Sequence, residues 1–255
     1  MQAVITAAGL GTRMLPASKE IPKEMFPVPF RGSFKPIIQV IFEQLYDAGV
    51  RDFVIVVGRG KRVIEDHFTP DQDFVYYLEK MGKSRQAKDL NAFYEKIEKS
   101  NIAFVNQASP EGFGDAVLRA KPFIKSDFLV SAADTILEEI PRMEVNSFLV
   151  TQVDDPKPYG VVLLDGELVV DVEEKPREPK SNWVIAPYYH FDYMIFEALE
   201  KTKRSGKELQ LTDAIKYLMN NGVAFRAVKV AKMYDLGNVE NYISSLRAIL
   251  LRGDI

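Results

Sequence analysis

Short, largely apolar runs separated by glycine and proline mark out the chain. Residues 3–8, 53–57, 102–106 and 127–132 are such runs, each of a length that suits a strand buried on both faces. Between the first two, Ile37, Ile38, Ile41, Phe42 and Leu45 recur at helical spacing within 35–48. Pro36 suits the first turn of that helix and Gly49 its end. A short helix is expected over 62–68. Strand–helix alternation predicts an α/β fold: a Rossmann-like mixed, mainly parallel sheet with helices on both faces.

Residues 71–100 break the alternation. Two charged amphipathic helices, 73–81 and 86–98, are parted by Gly82 and form a small helical insertion. After a strand at 147–153, the runs 161–164 and 168–172 flank Asp165-Gly166, the mark of a β-hairpin. Residues 181–191 read as a buried strand, but Pro187 has no N–H and belongs at an edge or bulge. His190 within it is expected in the core. A helix over 192–203 has Asp192 as its cap. A helix ending at 220, a strand over 223–230 and a closing helix over 238–251 complete one domain, 1–255.

The composition narrows the function classes. At 255 residues the chain can bury one large core. Hydrophobic residues make up 47% and charged residues 27%, as in soluble globular proteins. A net charge of −3 argues against wholesale nucleic-acid binding, so basic residues near the start suit a small anion. No cysteine is present, which excludes disulfides, thiolate zinc sites and a cysteine nucleophile. No apolar run reaches ~18 residues, and no signal peptide is recognisable, so a cytoplasmic protein without a membrane span is expected.

Candidate chemistry begins where the first strand ends. Ala8-Gly9-Leu10-Gly11-Thr12-Arg13 can present backbone N–H groups, a hydroxyl and a guanidinium to phosphate oxygens. Lys23 follows in a Pro-flanked loop. Met14 stands where a dinucleotide fingerprint needs its third glycine, and Arg62 follows Gly58-Arg59-Gly60-Lys61 where a P-loop needs Ser or Thr. A purely structural turn is the competing explanation. Gln107 to Gly112 is a loop at a strand end; a Gln amide can read a base edge, though an ordinary helix-capping loop explains the residues equally. Asp134, just past a strand, can hold Mg2+, and a turn aspartate is its alternative. Glu173-Glu174-Lys175-Pro176 ends the hairpin and reads on spacing alone as a solvated strand end.

Taken whole, A-A-G-L-G-T-R-M-L-P with P-K-E-M resembles the signature of the sugar nucleotidyltransferases, the nucleoside-diphosphate-sugar pyrophosphorylases. The insertion wording D-F-V-Y-Y-L-E-K-M-G-K is similar to that of bacterial-type UTP–glucose-1-phosphate uridylyltransferases. The resemblance implies that Ala8, Gly9, Gly11 and Thr12 wrap a nucleoside triphosphate and that Gln107 and Gly112 read the base. Residues 155–210 become a sugar-binding part, with Gly160, Glu174 and Glu208 on sugar hydroxyls and Lys175 on the sugar phosphate. Asp134 and, in the D-x-G-N element, Asp235 become Mg2+ ligands. Arg13, Lys23 and Lys175 become the catalytic cations.

The implied reaction converts UTP and glucose 1-phosphate to UDP-glucose and pyrophosphate. Thymidylyl transfer, another sugar 1-phosphate, and a non-catalytic paralogue are the alternatives. A homo-oligomer, dimer or tetramer, is expected. Three positions depart from the family pattern: Ala133, Pro187 and Asp115, the last standing where relatives often carry His or Gln.

Overall fold

The computed structural model describes residues 1–204 and 206–252. Strand β1 (Gln2–Ala7) is followed by a hairpin of β2 (Pro27–Phe30) and β3 (Ser33–Pro36), then helix α1 (Ile37–Asp47), β4 (Asp52–Gly58) and α2 (Arg62–His67). Helices α3 (Gln72–Lys80) and α4 (Ser84–Glu98) form the insertion, and β5 (Asn101–Gln107), α5 (Phe113–Arg119) and β6 (Phe128–Ala132) follow. Next come β7 (Thr135–Leu137), β8 (Ser147–Gln152), the hairpin β9 (Gly160–Asp165) and β10 (Leu168–Glu174), and β11 (Trp183–Phe191). Helices α6 (Met194–Lys201) and α7 (Leu211–Asn220), strands β12 (Arg226–Lys229) and β13 (Met233–Asp235), and helix α8 (Val239–Arg252) close the chain.

The main sheet has nine strands in the order β5-β4-β1-β6-β11-β8-β12-β10-β9. Strands β5, β4, β1 and β6 are mutually parallel. Only β11 and β10 run against the common direction, so the expected mainly parallel, mixed sheet is what forms. A further pairing of β11 with β9 closes β8, β11, β9, β10 and β12 into a ring. The apolar runs follow from two-sided burial. Ala3, Ile5 and Ala7 of β1 pack into one core with α1, α2, α3, α4 and α8, while Val4 packs into the other with α5, α6 and α7. Successive side chains on a strand face opposite ways, so both parities must be apolar.

Pro187 sits where the pairing of β11 with β8 shifts, between Ala186↔Leu149 and Tyr189↔Phe148, so its missing N–H leaves no ladder bond unmade. His190 lies in the core, its ring nitrogens meeting Asp127 Oδ2 at 2.8 Å and the Met143 carbonyl at 3.1 Å. Two elements fall outside the sequence expectations. The β2–β3 hairpin carries prolines at 27 and 29, tolerated because this two-stranded sheet has free edges. Strands β7 and β13 pair over three residues each, too short to show a period. Among the described residues no helix is long and apolar enough to cross a membrane.

The insertion is tied down through His67. Its ring stacks on Phe93 of α4, with centroids 4.9 Å apart, and its Nε2 lies 3.0 Å from Gln39 Oε1 on α1. Gln39 gives its NH2 to Glu43, so its oxygen accepts from a neutral His67. Burial pushes the His67 pKa down to about 4, against a weaker opposite pull from Glu43. A histidine depressed in the fold contributes stability that is complete above its unfolded pKa of ~6.5 and is lost as pH falls toward 4. Between pH 7.5 and 4.5, His67→Phe is expected to gain ~2–3 kcal/mol relative to wild type in urea unfolding. A pH-independent difference would contradict this.

Candidate active site

Four parallel strands end on one rim, and the cleft of about 660 Å3 lies across it. This is where open α/β sheets place their ligands, because loops leaving adjacent strands diverge there. The turn after β1 supplies Ala8, Gly9, Thr12 and Arg13; the loop after β5 supplies Gln107 and Gly112; Asp134 follows β6. Gly160, Glu174, Lys175 and Glu208 face them from the hairpin side, with Asp235 from β13. Of the predicted site residues, Gly11 alone is not on the cleft wall. It shapes the turn instead: φ is +68°, and its carbonyl accepts from Ser18 Oγ at 2.7 Å. At Gly9, by contrast, a Cβ would meet no described residue within 4 Å beyond its own chain neighbours, so the room there is open to a ligand.

The two aspartates are 101 positions apart in sequence and adjacent in space. Register explains this: Asp235 pairs with Thr135 across β13 and β7, and Leu236 N–H donates to the Asp134 carbonyl at 2.8 Å. A Cβ at Gly237 would lie 3.0 Å from Asp235 Oδ1, 3.1 Å from Asp134 Oδ2 and 3.2 Å from Arg13 Nη2. Two carboxylates and a guanidinium therefore converge on one small volume. Asp235 is held from behind. Its Oδ2 accepts from Tyr159 Oη at 2.9 Å and Asn241 Nδ2 at 2.6 Å, and its Oδ1 accepts from Gly237 N–H at 2.8 Å.

Beneath the turn lie two buried ion pairs. Lys23 Nζ sits on Asp134 Oδ2. Burial alone would lower Lys23, but Asp134 and Glu24 together hold it above its usual value. Burial likewise opposes ionisation of Asp134, and Lys23, Arg13 and Lys61 outweigh it, keeping that carboxyl below its usual value. Lys61 Nζ bonds Glu24 Oε1 at 2.8 Å and the Ala7 carbonyl at 2.5 Å, bracing the end of β1. For this pair burial wins: Glu24 is pushed up and Lys61 down. Glu24 Oε2 is buried with no hydrogen-bond partner among the described residues, which adds to the cost of its charge.

On the opposite wall, Thr212 Oγ1 donates to Glu174 Oε2 at 3.1 Å and Gln210 Nε2 to Glu208 Oε2 at 2.9 Å. Lys175 adopts φ +43°, uncommon for a residue with a Cβ, and its exposed ammonium lies 3.2 Å from Glu174. The loop after β5 is sewn to this wall. Leu209 N–H donates to the Glu111 carbonyl at 2.7 Å, and Gly114 N–H to the Leu209 carbonyl at 2.9 Å. Gly112 has φ +102°, and a Cβ there would lie 2.6 Å from the Leu209 oxygen, so a side chain at 112 would break this seam.

The donor set can be tested for a cation. Among the described residues no three His, Cys, Asp or Glu side chains cluster as a closed metal cage. Asp134 and Asp235 facing one point fit a hard divalent cation that also takes phosphate oxygens and water. Lys61, Glu24, Tyr159 and Asn241 were not among the sequence candidates. Lys61 stood in a glycine-flanked basic string that fails as a P-loop, and Tyr159 beside the predicted Gly160; Glu24 and Asn241 carried no separate signal.

Removing one member of a buried pair strands the other. Lys61→Met is expected to lower unfolding free energy by ~3–5 kcal/mol in urea, and adding Glu24→Gln to recover most of it. Additive losses in the double variant would show that the two residues do not act as a pair.

Similarity to known proteins shows the family. Residues 2–251 match the family model described as Nucleotidyl transferase. The chain is 35% identical to a UTP–glucose-1-phosphate uridylyltransferase of Streptococcus pneumoniae, over 93% of this chain and 86% of that protein. It is 34% identical to the UTP–glucose-1-phosphate uridylyltransferase YngB of Bacillus subtilis, over 93% and 85%. Among solved structures it is similar to a UDP-glucose pyrophosphorylase complexed with UDP-glucose, with a TM-score of 0.81, 29% identity and 99% of both chains covered. A UTP-bound UGPase from Acinetobacter baumannii superposes with a TM-score of 0.82 at 27% identity, over 99% of this chain and 94% of that one. The fold, the cleft and these matches place the chain in the nucleotidyl transferase family.

Proposed function

We propose that the protein transfers a uridylyl group from UTP to glucose 1-phosphate, giving UDP-glucose and pyrophosphate with Mg2+ as its metal. The observation that carries the reading is the convergence of Asp134, Asp235 and Arg13 between the glycine turn and the Glu174–Lys175 wall. The names of the similar proteins support the choice of nucleotide and sugar. A phosphate oxygen of the sugar substrate attacks the α-phosphorus. The new P–O bond forms as the bond to the bridging oxygen breaks, and pyrophosphate leaves with that electron pair.

The attacking phosphate has a second pKa of ~6 and is largely dianionic at neutral pH, so no general base is needed. The obstacle is repulsion between anions, and fixed charges are the remedy. Backbone at Ala8, Gly9 and Thr12 binds the triphosphate. Arg13 and Lys23 offset the charge that moves onto pyrophosphate, and Lys175 holds the sugar phosphate in line. Asp134 and Asp235 would hold Mg2+, which supplies neutralisation of phosphate oxygens when bound. Gly160, Glu174 and Glu208 orient the sugar hydroxyls, so residues 155–210 act as the sugar-binding part. Residues 71–100 serve self-association into a dimer or tetramer: Phe74, Tyr77 and Met81 are exposed and share one side of α3 and its end.

Lys23→Ala and Asp134→Asn are each expected to lower pyrophosphate release by at least ~10²–10³-fold while cooperative unfolding is retained. Chelation of divalent metal is expected to abolish turnover and added Mg2+ to restore it. Full activity in either variant, or in chelator, would contradict the reading. Competition between UTP and dTTP reads out the base, and a protein that releases no pyrophosphate from either with any sugar 1-phosphate is not this enzyme.

A further inference from the structure

Asp115 lies in the first turn of α5, and its side chain is 3% exposed. A buried carboxylate needs partners, and this one has three. Its Oδ2 accepts from Gln107 Nε2 at 2.8 Å and from Arg119 Nε at 3.2 Å; its Oδ1 accepts from Arg204 Nη2 at 3.1 Å. Both guanidinium groups also approach Glu111 Oε2, Arg204 at 3.0 Å and Arg119 at 3.8 Å. Burial raises the Asp115 pKa, but the hydrogen bonds from Gln107, Arg119 and Arg204 outweigh it and hold the carboxyl below its usual value.

An ionised carboxylate only accepts hydrogen bonds. Gln107 must therefore turn its NH2 toward Asp115. The same nitrogen also donates to the Gly112 carbonyl at 3.2 Å. Both amide hydrogens are thus committed inside the protein. Turning the amide over would set Oε1 against a carboxylate oxygen and a carbonyl oxygen at once, an arrangement with no hydrogen between them. Gln107 lines the cleft, and Oε1 is the polar atom its side chain has left to offer a ligand.

We propose that Asp115, clamped by Arg119 and Arg204, is a positioning residue that fixes Gln107 as a hydrogen-bond acceptor and so selects a base that donates from N3. Uracil and thymine carry N3–H. Cytosine in the same pose presents a lone pair at N3 to Oε1, two acceptors face to face. The assignment rests on the nucleotidyl-transfer reading of the cleft and adds to it the source of base discrimination. Arg204 also bonds the Lys207 carbonyl at 3.3 Å, so the clamp reaches the segment leading to Glu208 on the sugar side.

The test is the ratio of kcat/KM for UTP to that for CTP, each with glucose 1-phosphate, in wild type and Asp115→Asn. An asparagine both donates and accepts, so it removes the stronger of the two contacts that fix the Gln107 amide, at 2.8 Å, and leaves only the 3.2 Å bond to the Gly112 carbonyl against its turning over. Wild type is expected to favour UTP by at least ~10²-fold, the discrimination typical of a site whose polar group is left unpaired by the wrong substrate. Asp115→Asn is expected to cut that ratio at least ~10-fold, mainly through a lower KM for CTP. A residue that only supported the loop would slow both nucleotides equally, and an unchanged ratio overturns the proposal, as does a wild type that does not prefer UTP. If Asp115→Asn does not unfold cooperatively, Arg204→Met takes its place: a smaller fall in the ratio supports the clamp, and an unchanged ratio overturns it. Wild-type protein that uses neither nucleotide would sink the reaction reading itself, whereas an active wild type with an unmoved ratio in the variant sinks only the role of Asp115.

Discussion

Charge compensation beneath the glycine turn is the constraint on which the rest depends. A cleft meant for polyanions needs cations, and cations set in a protein wall repel one another and lose hydration. Here each buried ammonium is matched to a carboxylate: Lys23 to Asp134, Lys61 to Glu24. Such pairs contribute little net stability, because desolvation consumes most of the attraction. Their effect is to hold charged groups at fixed points before any substrate arrives. Asp134 then has two uses, partner to Lys23 in the free protein and one of two facing carboxylates that fit a divalent cation.

The sheet explains why these groups meet. Parallel strands β1, β4, β5 and β6 send their carboxyl ends to one rim, so turns far apart in sequence share a wall. The reversed strand β11 then starts a second region, where β8, β11, β9, β10 and β12 close on themselves and carry the Glu174–Lys175 wall. The short β7–β13 ribbon joins the halves and sets the spacing of the two aspartates through one register pair. Leu209, donating to the Glu111 carbonyl and accepting from Gly114 N–H, stitches the loop after β5 to the Glu174–Glu208 wall. The cleft is therefore held on both sides by backbone contacts.

Much of this could be read in advance, for identifiable reasons. Two-sided burial writes β1, β4 and β6 as apolar runs, and α1 repeats its core residues at helical spacing, so those elements stand out. Gly82 and the Asp165-Gly166 turn punctuate the helical insertion and the hairpin where the structure breaks. Asp134 stands out because it follows a strand, and Asp235 only through the resemblance of its D-x-G-N element. Their proximity was not legible, since it depends on β7 pairing with β13, and three-residue strands leave no periodic trace. Tyr159 and Asn241 escaped notice for a related reason: they act on Asp235 through contacts across 76 and 6 positions that no local motif encodes. Pro187 lacks the N–H that a buried strand needs, and its place at a register shift shows how the missing donor is accommodated. Asp115 departs from the family pattern with no local signal, because its three donors come from Gln107, Arg119 and Arg204, the last 89 positions away.

The central claim is that two carboxylates and the glycine turn assemble one metal–triphosphate site. A crystal of the protein soaked with UTP and Mn2+, the latter as an anomalous scatterer in place of Mg2+, tests it directly. An anomalous peak shared by Asp134 and Asp235 is expected, with the triphosphate lying over Ala8, Gly9, Thr12 and Arg13. Manganese bound elsewhere, or nucleotide bound with both aspartates turned away from it, would contradict the account.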